Sequence, residues 1–174
     1  MAGIAIGISQ PTTFPLLYAR FQRSYSWDVL LPDISIGLSG IVISQLIQSC
    51  SFGDYNLATN TMKSGPFELK YAGQMNVDKL KLTLLKTMPD IVTPYFNAWK
   101  GLIVDKRGLY QVKSNYAKAI WIRFLDSTGL AVGKYKLTGA FPITFPAYDL
   151  NYNDDKVTTV NVEFSVDNVE YQAI

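Results

Sequence analysis

Alternation of apolar and polar residues is the dominant pattern along this 174-residue chain. The clearest case lies near the C-terminal end, where side chains at every second position share their character. The apolar set is Val160, Val162, Phe164 and Val166, and the polar set is Asn161, Glu163, Ser165 and Asp167. Because side chains alternate across a strand with a period of two, this segment predicts a half-buried β-strand. The Asx-rich stretch 153–156 predicts a turn before it, and residues 148–152 are predicted to be its hairpin partner.

Six further segments are extended or alternate in the same way, and they predict strands at 24–31, 40–52, 55–62, 77–86, 116–124 and 132–138. In segment 77–86 the three leucines at every second position, Leu80, Leu82 and Leu84, are expected to face inward. The stretch 62–73 holds a Ser-Gly-Pro turn between extended flanks, which predicts a protruding hairpin. A tight turn is predicted at 126–129.

The period changes once, between Pro89 and Val104, where large apolar residues recur at spacings of three and four. Ile91, Tyr95, Ala98, Trp99 and Leu102 carry this spacing, which predicts an amphipathic helix over 93–103. Many strands and one helix place the chain in the mainly β class. We predict a two-sheet antiparallel β-barrel or sandwich with one flanking α-helix.

The N-terminal residues 1–21 carry no clean period, and the stretch "SQPTTFPLLYARF" mixes proline, threonine and large apolar groups. We predict two parts, an N-terminal arm over 1–21 and a β-barrel domain over 22–174. Exposed apolar residues in a terminal arm favour docking on a partner. The expected anchors are Phe14, Leu16, Leu17, Tyr18 and Phe21.

Composition argues against most catalytic chemistry. The chain has no histidine and one cysteine, Cys50. This removes histidine-assisted nucleophiles, an internal disulfide and multi-cysteine zinc sites. Cys50 lies in an apolar run and is expected to be a small buried thiol. A carboxylate-dependent hydrolase is disfavoured because no Asp/Glu pair stands out. We therefore expect no catalytic residue, no metal and no cofactor.

Charge is distributed unevenly although the net value is only +2. Residues 100–136 are rich in lysine and arginine, whereas residues 149–170 are rich in aspartate and glutamate. These stretches are either ordinary solvated faces or complementary edges for head-to-tail self-association. No segment predicts a signal peptide or a membrane span.

The order of these elements resembles that of the contractile-phage tail tube proteins. The resemblance rests on the aromatic first strand, the long hairpin, the helix with "FNAW", and "LTGAFPITFPAYDLNYNDDKVTTVNVEFSV" with its step at Gly139-Ala140-Phe141-Pro142. It covers about residues 24–171. The family includes baseplate tube-initiator rings and proteins similar to type VI secretion tubes.

The resemblance implies a structural virion protein, not an enzyme, that forms a homo-hexameric ring. Such rings stack on themselves or on related tube and baseplate proteins to make a DNA-conducting tail tube. A tail sheath would surround the tube, and its lumen would hold a tape measure protein or genomic DNA without sequence-specific binding. The expected location is the virion tail, assembled in the host cytoplasm.

This interpretation assigns roles to particular residues. The polar face Asn161, Glu163, Ser165 and Asp167 is expected to line the lumen, where an acidic or neutral wall would let DNA slide. The ring-stacking hairpin is expected to use Lys63, Ser64, Gly65, Pro66, Phe67, Leu69 and Tyr71. The arm anchors would dock on the next ring in a repeating tube protein, or on a baseplate protein in a tube initiator.

Two other functions remain open at the level of the sequence. The first is the tube-initiator ring subunit of the same fold. The second belongs to a different class, a secreted or virion carbohydrate-binding β-sandwich whose tyrosines and tryptophans stack on sugars. The second predicts a monomer or dimer with exposed aromatic residues, whereas the tube interpretation predicts rings.

Overall fold

A computed structural model describes residues 26–34, 39–148 and 157–173. The helices and strands follow one another in the order β1 Trp27–Leu30, α1 Gly40–Ser44, β2 Ile47–Ser51, β3 Tyr55–Ser64, β4 Phe67–Val77, β5 Leu80–Leu85, α2 Val92–Ile103, α3 Lys113–Tyr116, β6 Lys118–Leu125, β7 Ala131–Tyr148, β8 Thr159–Ser165 and β9 Asn168–Ala173. All pairings between these strands are antiparallel.

The strands form two sheets that share the long strand β7. The first sheet has the order β1-β6-β7-β9 and uses the first half of β7. The second has the order β2-β5-β8-β7 and uses the second half. Among the described strands the order ends at β1 and β2, which do not pair with each other, so the sheets form a sandwich rather than a closed barrel. The mainly β, two-sheet prediction is confirmed.

Gly139 marks the point where β7 passes from one sheet to the other. Its φ is +69°, in a region that favours glycine, and an added Cβ would lie 2.1 Å from the Asp167 carboxylate. Up to Thr138, β7 pairs with β9, and from Phe141 onward it pairs with β8. The Gly-Ala-Phe-Pro step is therefore the bend that joins the two layers.

The core lies between the sheets and under α2. It includes Leu80, Leu82 and Leu84 of β5 and the inward-facing residues of β8, Val160, Val162 and Phe164. Each of these side chains is at most 1 % exposed. These inward positions are those that the alternation predicts. The polar positions between them on β8 remain exposed or half-buried.

Helix α2 begins one residue before its predicted start and ends at the predicted residue. The Asp90 carboxylate accepts hydrogen bonds from the backbone amides of Val92 and Thr93, each at 3.1 Å, which satisfies two donors of the first turn. The buried face carries Val92, Tyr95, Phe96 and Trp99. Tyr95 and Trp99 were predicted there, whereas Ala98 and Leu102 are only half-buried.

The predicted strand over 40–52 is wrong in its first half, where the chain forms α1. The Ser39 hydroxyl accepts from the amide of Ile41, and the Asp33 carboxylate accepts from the amide of Gly40 at 2.7 Å. An added Cβ at Gly40 would lie 2.1 Å from the Leu31 carbonyl oxygen. The cap from Asp33 and the close approach at Gly40 are contacts that alternation does not encode.

The described elements differ from the prediction at three further points, and one predicted turn is confirmed. The hairpin partner of β8 is the second half of β7, which ends at Tyr148, whereas residues 149–156 lie outside the described part. The short helix α3 and the last strand β9 were not predicted. The 126–129 turn is present, and the Asp126 carboxylate accepts from the amide of Thr128 at 2.7 Å.

Candidate assembly surfaces

The hairpin of β3 and β4 extends away from the sandwich. Its strands pair with each other over nine registered positions, from Tyr55 opposite Val77 to Ser64 opposite Phe67. At about 3.3 Å per residue, its ten-residue first strand spans roughly 30 Å. A two-stranded sheet alone is marginally stable in water, so this hairpin needs a surface to pack against.

The distal half of the hairpin presents an apolar face. Phe67, Leu69 and Tyr71 alternate along β4 and therefore share a face, and Met62 lies directly opposite Leu69. Their exposed fractions are 71, 55, 54 and 56 %, respectively. The structure thus brings together the apolar members of the predicted stacking hairpin, with Lys63 and Ser64 at the end of β3 and Gly65 and Pro66 in the turn.

The base of the hairpin is attached to the sandwich. The Tyr55 hydroxyl donates to the Asn168 side chain and to the Val169 carbonyl at the start of β9. Val77 packs against the core. Leu57 and Met75 form the next cross-strand pair on the same face as Tyr55 and Val77, and both are more than half exposed. A β-bulge between Leu57 and Thr59 separates this base from the distal half.

The four predicted lumen residues lie on or just beyond β8, on the side of the second sheet away from the core. Asn161 and Asp167 are exposed, whereas Glu163 and Ser165 are half-buried. Their neighbours on β5 are polar, because Lys81 lies opposite Glu163 and Thr83 opposite Asn161. On β7, Thr144 lies opposite Glu163, whereas Phe141 lies opposite Ser165 and Ala147 opposite Asn161. The predicted polar face therefore continues onto β5 and, at Glu163, onto β7, and its role in a lumen stays a prediction.

Charges on this polar face are paired. The Glu163 carboxylate lies 3.3 Å from Lys79 Nζ and 3.6 Å from Lys81 Nζ, and Asp167 lies 2.6 Å from Lys113 Nζ. Such exposed pairs stabilise the fold by at most about 1 kcal/mol each. Their main consequence is that three lysines and two carboxylates leave the face close to neutral. Lys113 was not foreseen, because only tertiary folding brings α3 beside Asp167.

The corresponding face of the first sheet carries three basic residues, Arg123, Lys134 and Lys136, and two acidic residues, Asp28 and Glu170. Lys134 and Lys136 place their ammonium groups 5.0 and 5.4 Å from the centre of the Trp121 ring, within cation–π range. Arg123 forms an ion pair with Asp28 across β1 and β6, and its hydrogen bond to Asp28 raises the pKa of the guanidinium group. The two outer faces therefore have the same balance of charge, and they differ in that the Trp121 ring lies on the first.

A groove of about 550 Å³ lies between β1 and β2, the two ends of the strand order. It is lined by Trp27, Asp28, Val29, Ser44, Gln45, Ile47, Gln48, Ser49 and Cys50. Burial raises the pKa of the Cys50 thiol to about 12, so the thiol is protonated at neutral pH. A protonated thiol is a weak nucleophile, in agreement with the structural role expected for Cys50. The sequence carried no signal for this groove, because its walls are distant along the chain.

The predicted arm anchors Phe14, Leu16, Leu17, Tyr18 and Phe21 lie outside the described residues. Within ranges 26–34, 39–148 and 157–173, no group of three or more Cys, Asp or Glu side chains is arranged to hold a metal ion. No helix in the same ranges is long and apolar enough to cross a membrane.

Comparison with known proteins gives one family and a consistent set of folds. A family model described as phage tail tube protein matches residues 13–171. The cap of the anti-feeding prophage, a tube-terminating cap, has a TM-score of 0.67 at 19% identity, over 90% of this chain and 93% of that one. A chain of the sheath–tube complex of the PVC extracellular contractile injection system has a TM-score of 0.66 at 19% identity, over 91% and 95%.

A chain of the anti-feeding prophage baseplate, determined with sixfold symmetry, is also similar. Its TM-score is 0.61 at 16% identity, over 89% of this chain and 97% of that one. At such identities these similarities describe the fold. No sequence among the curated proteins matches significantly.

Proposed function

Because the chain belongs to the phage tail tube protein family, we propose that it is a structural subunit whose hexameric rings stack into the tube of a contractile phage tail. The observation that carries the proposal is the family match over residues 13–171, nearly the whole chain. Members of this family are structural tube proteins rather than enzymes. The Cys50 thiol is protonated at neutral pH, and the Glu163 and Asp167 carboxylates are paired with lysines. Both observations agree with a structural role.

Sixfold rings are supported by two features. The baseplate chain of similar fold comes from an assembly with sixfold symmetry. In this chain β1, β2 and β9 each pair with a single neighbour among the described strands, and unpaired sheet edges favour association unless a neighbour covers them. A ring closes such edges and encloses a channel at the same time. We propose a body over 22–174 that forms the ring and an arm over 1–21.

Stacking of rings is assigned to the hairpin of β3 and β4, whose distal apolar face has no partner among the described residues of its own chain. A sheath would enclose the stacked rings, as the sheath–tube complex of similar fold suggests. The assembled tube would belong to the virion tail and form in the host cytoplasm. In the lumen we place genomic DNA or a tape measure protein.

A tube-initiator ring in the baseplate is the second candidate, favoured by the similarity to a baseplate chain. Polymerisation of the purified protein separates the two functions. A repeating tube subunit is expected to form long tubes by itself, visible by negative-stain microscopy, with sixfold end views. An initiator is expected to stop at single rings under every condition. A chain that stays monomeric by light scattering at high concentration contradicts both.

We assign the lumen to the polar face of the second sheet, whose paired charges leave it nearly neutral. Duplex DNA binds lysines by releasing counterions, so a neutral wall holds it weakly. Glu163→Lys adds a lysine beside Lys79 and Lys81 on every subunit. Tubes of this variant, assembled with short duplex DNA, are expected to protect it from nuclease at about 50 mM salt and to release it at about 200 mM.

Glu170→Lys is the matched control, because it makes the same charge change on β9 of the first sheet. DNA bound by these tubes is expected to stay accessible to nuclease. If Glu163→Lys tubes also leave their DNA accessible, the second sheet does not face the lumen and the assignment is wrong.

A further inference from the structure

The apolar residues of the β3–β4 hairpin change from one face of the ribbon to the other along its length. Leu57 pairs with Met75 near the base, and Met62 pairs with Leu69 near the tip. Leu57 and Met62 are an odd number of positions apart on β3, so the two pairs lie on opposite faces. We call the three exposed apolar residues at the base, Tyr55, Leu57 and Met75, the base patch.

The β-bulge allows β4 to follow this change of face. Thr59 is two positions beyond Leu57 on β3, but its partner Ala72 is three positions before Met75, so β4 carries one extra residue. One extra residue reverses the alternation for the rest of the strand. Without it, the large apolar residues of β4 would share one face, because all of them occupy odd-numbered positions. They are Phe67, Leu69, Tyr71, Met75 and Val77.

Behind each apolar patch the other face of the ribbon is polar. Behind the base patch, Asn56 pairs with Asn76, and the Asn56 side chain donates to the Asp78 carboxylate at 3.0 Å. Behind the distal apolar face, Lys63 pairs with Glu68, and their charged groups lie 3.9 Å apart. Each half of the hairpin therefore has one apolar and one polar face, in opposite orientations.

The base patch is open on the single chain and lies close to the sandwich. Tyr55, Leu57 and Met75 are 39, 54 and 57 % exposed, respectively. The Tyr55 hydroxyl donates to the Val169 carbonyl of β9 at 3.2 Å, which fixes this end of the hairpin. Leu57 is about 7 Å further along the strand, whereas the tip is roughly 30 Å away. A partner of the base patch therefore has to lie beside the sandwich itself.

We propose that the base patch contacts the sandwich of a second copy in the same ring, while the distal apolar face contacts a copy in the next ring. This contact rests on the proposed ring, because a ring places another copy beside the first. A two-stranded ribbon is a single layer, so a partner that covers one face leaves the other in water. Every subunit of a closed ring has the same two neighbours, so copies of this chain suffice to cover the base patch.

Substitution tests the base patch in a chain that does not stack. Phe67, Leu69 and Tyr71 are first replaced with threonine, and Leu57→Thr with Met75→Thr is then added. Losing buried apolar contacts is expected to raise the concentration at which single rings form by about tenfold or more. Light scattering measures this concentration, and far-ultraviolet circular dichroism checks that the sandwich is folded. If the starting chain forms no rings while the native chain forms tubes, the distal apolar face is itself a ring contact and the proposal is wrong.

Asn56→Thr with Asn76→Thr is the matched control, because this pair occupies the adjacent register on the opposite face. Its ring-forming concentration is expected to stay within about twofold, as for ordinary surface substitutions. An equal effect of the two pairs contradicts the proposal. So does Leu57→Thr with Met75→Thr in the otherwise native chain, if that variant forms rings normally and loses only tubes, since the base patch would then be a stacking contact.

Oxidation of the native methionines is a second measurement, because Met75 lies in the base patch and Met62 on the distal apolar face. Dilute hydrogen peroxide is applied to monomers, single rings and tubes, with free methionine as a dose reference, and mass spectrometry measures each sulfoxide. Met75 is expected to react about tenfold slower in single rings than in monomers, and Met62 to slow only in tubes. Slow oxidation of Met75 in the monomer, or fast oxidation in rings, overturns the proposal. A native chain that forms no rings contradicts the proposed function as well.

Discussion

Replacing Phe67, Leu69 and Tyr71 together with threonine is expected to leave rings that no longer stack into tubes. The three side chains share the distal face of the hairpin, and each is more than half exposed on the single chain. Large stable interfaces bury about 2,000 Å² or more, and truncating a central anchor typically costs about 2 kcal/mol or more of binding free energy. Threonine retains the preference for a strand, so the hairpin itself should persist. Tube length by negative-stain microscopy is the measurement.

The opposite face of the same strands provides the matched control. Thr61, Lys63 and Lys70 lie on that face, because Thr61 pairs with Lys70 and Lys63 pairs with Glu68. Changing all three to alanine also removes three side chains from the distal half. These tubes are expected to keep their normal length. Full-length tubes from the threonine variant would exclude its apolar face from stacking, and loss of tubes in both variants would show a general effect on the hairpin.

Trp99→Ala is expected to be the most destabilising single substitution in the sandwich. Trp99 is fully buried on α2, its ring lies 5.6 Å from that of Phe164, and its Nε1 donates to the Tyr116 carbonyl at 2.8 Å. Emptying such a site typically costs about 3–5 kcal/mol, and the carbonyl loses a buried donor. The free energy of unfolding from urea titration, at a concentration where rings do not form, is expected to fall by about that amount.

Trp121→Ala is the control for Trp99→Ala, because it also removes a tryptophan but from a position outside the core. Trp121 lies on the outer face of β6, where its ring contacts the ammonium groups of Lys134 and Lys136. Removing it is expected to cost roughly 1–2 kcal/mol, mostly from the cation–π contacts. Equal losses for the two tryptophan variants would contradict the central position given to Trp99.

The assembly role depends on surfaces that a single subunit leaves incomplete. The hairpin has an exposed apolar face, β1, β2 and β9 each pair with one neighbour among the described strands, and the outer face of the second sheet carries paired charges. Stacked closed rings would cover the first two surfaces, and the third would face the cargo. Each surface therefore has its own experiment, so the failure of one assignment leaves the others open to test.

Much of the fold was predictable because alternation and helical period report directly which side chains are buried. The inward residues of β5 and β8 and the length of α2 follow from these patterns. The hairpin of β3 and β4 was recognised from its turn and its extended flanks. The polar face of β8 was also recognised, since the same alternation that buries Val162 exposes Asn161.

The sequence by itself determined the class of the fold, the strands with strict alternation, the helix and the family resemblance, because each depends on local spacing. Tertiary structure alone decided the conformation and contacts of the segments whose local signals are ambiguous or absent. Contact with Leu31 accompanies a helix at Gly40, the bend at Gly139 divides β7 between two sheets, and α3 brings Lys113 to Asp167. The groove between β1 and β2 belongs to the same group. Its two walls are separated along the chain, and only the packing of one sheet on the other brings them together.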